Sequence, residues 1–167
     1  MGYVDRRKEV FAWFGGAAYY AQCFEVEIQS ILLLTYHLNH PTALVSELDA
    51  VDLRLSSKNL GWLLQELERR FTLHPGFLKL LTTYREKRNY LMHRFFFENA
   101  RALLSPQGCD TMVEELKEIS KAFHEADAIA KEMSKRMQTL AGWSEDQFEM
   151  LIRAELRKDG ERDGSIT

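Results

Sequence analysis

Between Met112 and Leu140 nine apolar residues, Met112, Leu116, Ile119, Phe123, Ala126, Ala130, Met133, Met137 and Leu140, recur in alternating steps of four and three. An α-helix returns residues at that spacing to one face, so this stretch demands a long amphipathic helix and something to cover its stripe. Two covers are open: a second copy of the stripe in a coiled coil, or other helices of the same chain.

The rest of the sequence supplies such helices. Phe14, Ala17, Ala21, Phe24, Ile28 and Ile31 share one face of a helix running from roughly Arg7 to Leu38, ended by Asn39-His40-Pro41. Thr42 to Leu55 is less regular and reads as a short helix and a loop, after which Ser56 or Ser57 is expected to cap a helix with the stripe Leu60, Leu63, Leu64, Leu67 and Phe71. Pro75 suits a first helical turn, and the run from Phe77 to Ala102 stays helix-compatible until Ser105-Pro106-Gln107-Gly108 breaks it. Thr111 with Glu114 reads as a capping box for the long helix. Ser144 with Gln147 reads as another, with Trp143 and Phe148 as its hydrophobic staple, for a last helix ending near Gly160. No strand alternation and no internal repeat is seen. The expected fold is all-α: a single helical bundle of about five helices with an up-and-down core over residues 1–158, and a flexible charged C-terminal tail over 159–167.

A chain of 167 residues suits one domain, with no need of disulfides or metal as staples. Its two cysteines, Cys23 and Cys109, form no CxxC pair and have no neighbouring histidine, which fits a reduced compartment. Arg6-Arg7-Lys8 before the apolar run Val10 to Ala21 imitates a signal peptide, but Asp5 and Glu9 offset the charge and the helical pattern continues past any cleavage point. The run is also shorter than a membrane span, so a cytoplasmic protein without membrane attachment is expected. A net charge of -3 gives no global attraction to nucleic acid, though a local basic patch can still act.

One helix departs from this bland pattern. The stripe Phe77, Leu80, Leu81, Tyr84 should continue through position 88 to Leu91 and Phe95, yet position 88 is arginine. A guanidinium in an apolar register needs a partner or a wet cleft, which marks a candidate site. Asn89 and His93, four apart, share a second face, with Glu86 a turn before them and Phe97 a turn beyond. That face suits contact with a second copy of the chain. Arg-x4-His spacing is weak alone, since about one chance match is expected in such a chain. Arg69 and His74 supply a decoy, discounted because it runs into Pro75 and lacks an asparagine after the arginine.

In this all-helical setting the run Arg88-Asn89-Tyr90-Leu91-Met92-His93 resembles the Arg-x4-6-His motif of the HEPN superfamily. The first helix, with Phe14-Gly15-Gly16 and Ala21-Gln22-Cys23-Phe24-Glu25, is also similar to prokaryotic members. The resemblance implies a homodimeric helical bundle whose two motifs face one another across a cleft, and it names Arg88, Asn89 and His93 as catalytic. It further implies a metal-independent endoribonuclease, with no cofactor, acting as a toxin or phage-defence effector under an antitoxin or inhibitor protein. Other members of the superfamily are non-catalytic interaction modules. One toxin branch carries a tyrosine two residues after the histidine that a partner enzyme modifies; Phe95 stands there in this chain.

The residue chemistry suits the same reaction. Metal-free RNA cleavage needs a base for the 2'-hydroxyl proton, an acid for the leaving 5'-oxygen, and donors for the charge on phosphorus. Histidine can take either proton role, Arg88 offers a permanently charged fork, and Asn89 adds an amide. A twofold dimer would bring two His93 side chains to one phosphate, leaving 2',3'-cyclic phosphate ends. The structural alternative is an arginine paired to Glu86 or to a glutamate of the long helix, beside a partly buried histidine. The sequence does not place Glu25 and Glu98: either could lie close to the cleft, but a solvated surface glutamate is the commoner case.

Other features carry less. His37 and His40 have no third ligand and read as a surface pair. Gly15-Gly16 is expected to permit close helix packing. A helix-turn-helix around Ala141-Gly142-Trp143 would present an acidic second helix, which argues against DNA. Of Phe95, Phe96 and Phe97, at least one is expected in the core, while another could stack on RNA bases.

Overall fold

A computed structural model of the chain describes residues 3–142. Six α-helices follow in order: α1 (Tyr3–Asn39), α2 (Val45–Ser56), α3 (Leu60–Arg70), α4 (Pro75–His93), α5 (Phe95–Glu98) and α6 (Pro106–Leu140), with a 3-10 turn at Ala102–Leu104 before α6. No strand occurs among the described residues, and the chain is all-α as expected. The last helix expected from Ser144, its capping box and staple, and the tail over 159–167 lie outside the described residues.

The stripe on α6 finds its cover inside the chain. Met112, Leu116, Ile119, Phe123, Ala126 and Ala130 are buried, against Ala17, Ala21, Phe24, Ile28 and Ile31 of α1 in the same core. The two long helices run parallel, because their partners rise in number together: Arg6 Nε meets Asp110 Oδ1 at 3.0 Å, Lys117 lies over the Trp13 ring, and Tyr20 meets His124 edge-on. Helix α4 runs against both. Phe95, just past its end, reaches Phe14, whereas Tyr84 in its middle lies between Phe24 at 4.0 Å and Phe123 at 4.8 Å between ring centroids. The Tyr84 hydroxyl donates to the Ala21 carbonyl at 2.7 Å, satisfying a polar group that is otherwise in the core.

Several boundaries differ from those the sequence suggests. Helix α3 is capped by Asn59, whose Oδ1 accepts from the Trp62 amide at 2.9 Å, rather than by Ser56 or Ser57, and Phe71 is its half-buried C-cap. Helix α6 begins at Pro106, with the Ser105 hydroxyl accepting from the Gly108 amide at 3.1 Å; Thr111 is already inside the helix and donates back to the Gln107 carbonyl. Thr111 and Glu114 therefore form no capping box. Pro106 does stop the preceding segment, but it does so as the first residue of the next helix, where its missing N–H costs nothing. Gly108 is the glycine the fold requires, since a Cβ there would stand 2.1 Å from the Ala102 carbonyl oxygen. Gly15 and Gly16 have nothing within 4 Å of a modest side chain, so they permit no close packing.

Helix α4 also stops earlier than its pattern suggests. It ends at His93, and Arg94 leaves the helical region at φ -128° and ψ -26° before α5 resumes. The break seats two consecutive rings on the same side of the molecule: Phe95 is fully buried against Phe14, and Phe96 meets Phe11 and Phe14 at 5.4 and 4.7 Å.

Candidate functional site

The singular arginine lies where α4 crosses α1. Its backbone register places Arg88 beside buried Tyr84 and Leu91, and the long side chain, about a quarter of it exposed, leads the guanidinium out to the helix edge. There Nε donates to Glu25 Oε1 at 2.9 Å, and a second guanidinium nitrogen stands 3.5 Å from Asn89 Oδ1. Glu25 is the partner, contributed by α1 sixty-three positions earlier, rather than Glu86 or a glutamate of α6. Its negative charge and, above all, burial push the Tyr84 hydroxyl well above the ordinary tyrosine range, so Tyr84 stays a neutral donor.

Asn89 and His93 face outward together. Both are exposed, one helical turn apart, and His93 is the last residue of α4. Arg88 and His93 are separated by about 140° around the helix and about 7.5 Å along it. One chain thus brings Arg88 to Glu25 and Asn89, and leaves His93 on a different face. Around His93 the surface is apolar and basic. Met92 is exposed, Phe97 is 87% exposed, and the stretch Arg85 to Arg101 carries five arginines and lysines against two glutamates. The three consecutive phenylalanines divide accordingly: Phe95 in the core, Phe96 on the α1 aromatics, Phe97 in solvent.

Behind this face a groove of about 390 Å³ between α4 and α6 is lined by Glu86, Lys87, Tyr90, Arg94, Glu115, Glu118 and Ile119. Tyr90 is tied on its floor: Asn99 Nδ2 donates to the Tyr90 oxygen at 3.1 Å, and burial with a hydrogen bond to Glu115 raises its hydroxyl to about 12. This network fixes the turn after α5 against α4 and α6. Glu98, the last residue of α5, is occupied by Arg94, the residue that precedes that short helix. Neither feature was visible in the motif, because Asn99 and Glu115 belong to separate patterns in the sequence.

Among the described residues no group of three or more His, Cys, Asp or Glu is placed to hold a metal ion. His40 instead stacks on Tyr36 at 4.2 Å between ring centroids. No described helix is long and apolar enough to cross a membrane. Comparison of the chain with known protein families, with curated proteins and with solved structures finds no match.

Proposed function

We propose that the chain is a HEPN-like endoribonuclease that works as a homodimer through the outward face of α4. The observation that carries this reading is Arg88: a charge in an apolar register whose guanidinium is held at the surface by Glu25, next to an exposed Asn89–His93 pair on the most basic stretch of an acidic chain. Arg88 and Asn89 would hold the phosphate, and His93 would move the proton. Two copies of α4 brought face to face would set one His93 as base toward the 2'-hydroxyl and the other as acid toward the 5'-oxygen, with no metal in the step. The products are a 2',3'-cyclic phosphate and a 5'-hydroxyl. A toxin or phage-defence role follows from the resemblance, as does an antitoxin or inhibitor that would silence the enzyme by covering this face.

A second reading has an observation in its favour. The Arg88–Glu25 pair is satisfied within the chain, and Met92 and Phe97 are exposed apolar side chains close to His93 in sequence, as a non-catalytic interaction module would have them. Wild type and His93→Ala, incubated with single-stranded and structured RNAs in EDTA, separate the two. Cleavage by wild type alone, leaving cyclic phosphate ends, supports the nuclease; intact RNA with a folded dimer supports the module.

A further inference from the structure

Helix α1 is covered on one side only, and the side it turns to solvent is apolar. Val4 is 63% exposed, Phe11 49%, Tyr19 62% and Val26 55%. At about 100° per residue, all four lie within about 40° of Gly15 around the helix, together with Lys8 and Gln22, which are exposed as well. They form one continuous face about 33 Å long, from Val4 to Val26.

The order of residues along this face is symmetric. Val4 and Val26 stand eleven residues to either side of Gly15, Lys8 and Gln22 seven, and Phe11 and Tyr19 four. Such a face is its own complement. A second copy of α1, turned about a twofold axis through Gly15, sets Val4 on Val26, Phe11 on Tyr19 and Lys8 on Gln22, and each contact occurs twice. A foreign partner would not require that symmetry.

The centre and the flank of the face suit the same arrangement. Gly15 is exposed, and a Cβ there would have nothing within 4 Å, so no packing inside the chain offsets the roughly 1 kcal/mol that a mid-helix glycine costs relative to alanine. Against a second helix, the missing side chain lets the two backbones approach at the axis. Arg7 and Glu25 share one flank, each about 80° from Gly15, and the twofold axis brings Arg7 of one copy within about 3 Å, along the helix, of Glu25 of the other. Opposite charges meet there.

We propose that the outward face of α1 is an interaction surface for a second copy of this chain, packed antiparallel about a twofold axis at Gly15. One helix against one helix is a small interface, so association through it is expected to be weak and reversible. The contact is separate from the Asn89–His93 face of α4 and stands whether or not that face cleaves RNA.

The test uses the full chain with Cys23→Ser, so that one new thiol reports each position while Cys109 stays buried. Gly15→Cys lies on the axis. Under mild oxidation with copper phenanthroline it is expected to form a disulfide between two copies at least about tenfold faster than Gln65→Cys, an exposed position on α3. Phe11→Cys alone leaves its two thiols about 12 Å apart along the helices and is expected to link slowly, whereas a mixture of Phe11→Cys and Tyr19→Cys chains is expected to link one of each kind. Adding Val26→Asp to the Gly15→Cys chain is expected to lower its rate to that of Gln65→Cys, and adding Val4→Lys as well to restore it. All these positions are on the surface, so the fold is retained, read by circular dichroism. Gly15→Cys linking no faster than Gln65→Cys would overturn the proposal. Phe11→Cys linking to itself as fast as Gly15→Cys, or no rescue by Val4→Lys, would overturn the antiparallel register on which it rests.

Discussion

The contact between Glu25 and Arg88 joins α1 and α4 at the edge of their apolar contact, and its strength can be worked out and measured. At 2.9 Å, with the side chains 20% and 24% exposed, the pair lies between surface and interior. Unit charges about 4 Å apart attract by about 1 kcal/mol in water and about 4 kcal/mol at an effective dielectric near 20. Desolvation and the ordering of two long side chains remove much of the larger figure, and partial solvent screening removes more, leaving a coupling of about 1–1.5 kcal/mol. A double-mutant cycle with Glu25→Gln, Arg88→Met and both together, followed by urea unfolding, measures that coupling directly. Glutamine keeps an acceptor and methionine keeps the apolar stem, so neither opens a large cavity. The same variants report on the site. If Glu25 aims Arg88 at a phosphate, Glu25→Gln is expected to lower kcat/KM about tenfold, with Arg88→Met losing about 100-fold or more. A coupling within about 0.3 kcal/mol of zero, the usual error of additivity, would refute the electrostatic argument. Full RNA cleavage by folded Arg88→Met would refute the assigned role of the arginine.

Three further outcomes follow from the packing. Tyr84→Phe removes the bond to the Ala21 carbonyl but keeps the ring between Phe24 and Phe123, so a loss of about 1 kcal/mol is expected, read by thermal or urea unfolding. Gly108→Ala forces a methyl into the Ala102 carbonyl, and the backbone must shift; a net loss of at least about 2 kcal/mol is expected, against the gain of up to about 1 kcal/mol that alanine usually brings over glycine in a helix. Glu27 is half-buried, and burial first, then the charge of Asp127, raise its carboxyl above the ordinary 4.5. A raised carboxyl contributes stability below that value and loses it as pH rises through the shifted one, so Glu27→Gln is expected to be more stable than wild type near neutral pH. The advantage should shrink as the pH falls toward 4.5, and a difference independent of pH would contradict this account.

Periodicity carried the fold because α1, α3 and α6 bury the residues that repeat at helical spacing. Boundaries were harder wherever one residue served two elements. Ser105 and Pro106 read as a breaker, and they are one, but they are also the cap and first turn of α6; no apolar residue before Cys109 betrays that the helix has begun. The end of α4 had no local signal either. His93, Arg94 and Phe95 are all compatible with helix, and the break at Arg94 serves the distant aromatics Phe11 and Phe14. Likewise Arg88 announced itself as a charge in an apolar register, whereas Glu25 did not, since an acidic residue at the edge of a buried face is ordinary until the crossing of α1 and α4 is known.

That crossing also sets a condition on the proposed chemistry. Within one chain Arg88 is turned toward α1, while His93 sits about 140° around α4 and faces solvent with Asn89. No rotation of two side chains on a rigid helix brings a base and an acid to opposite sides of one phosphate when only a single histidine is present. The second proton carrier must come from another molecule, and the outward face of α4 is the surface that can present it. Activity should therefore depend on association: the rate per chain should fall as the protein is diluted through its dimer dissociation, and a species of twice 19.5 kDa should disappear over the same range in sedimentation velocity. Mixing His93→Ala with wild type should lower activity faster than the fraction of wild-type chains, because each mixed dimer loses one of its two proton carriers. A monomer of 19.5 kDa that cleaves RNA at full rate would show that a single His93 suffices, and the two-histidine mechanism would fall with it.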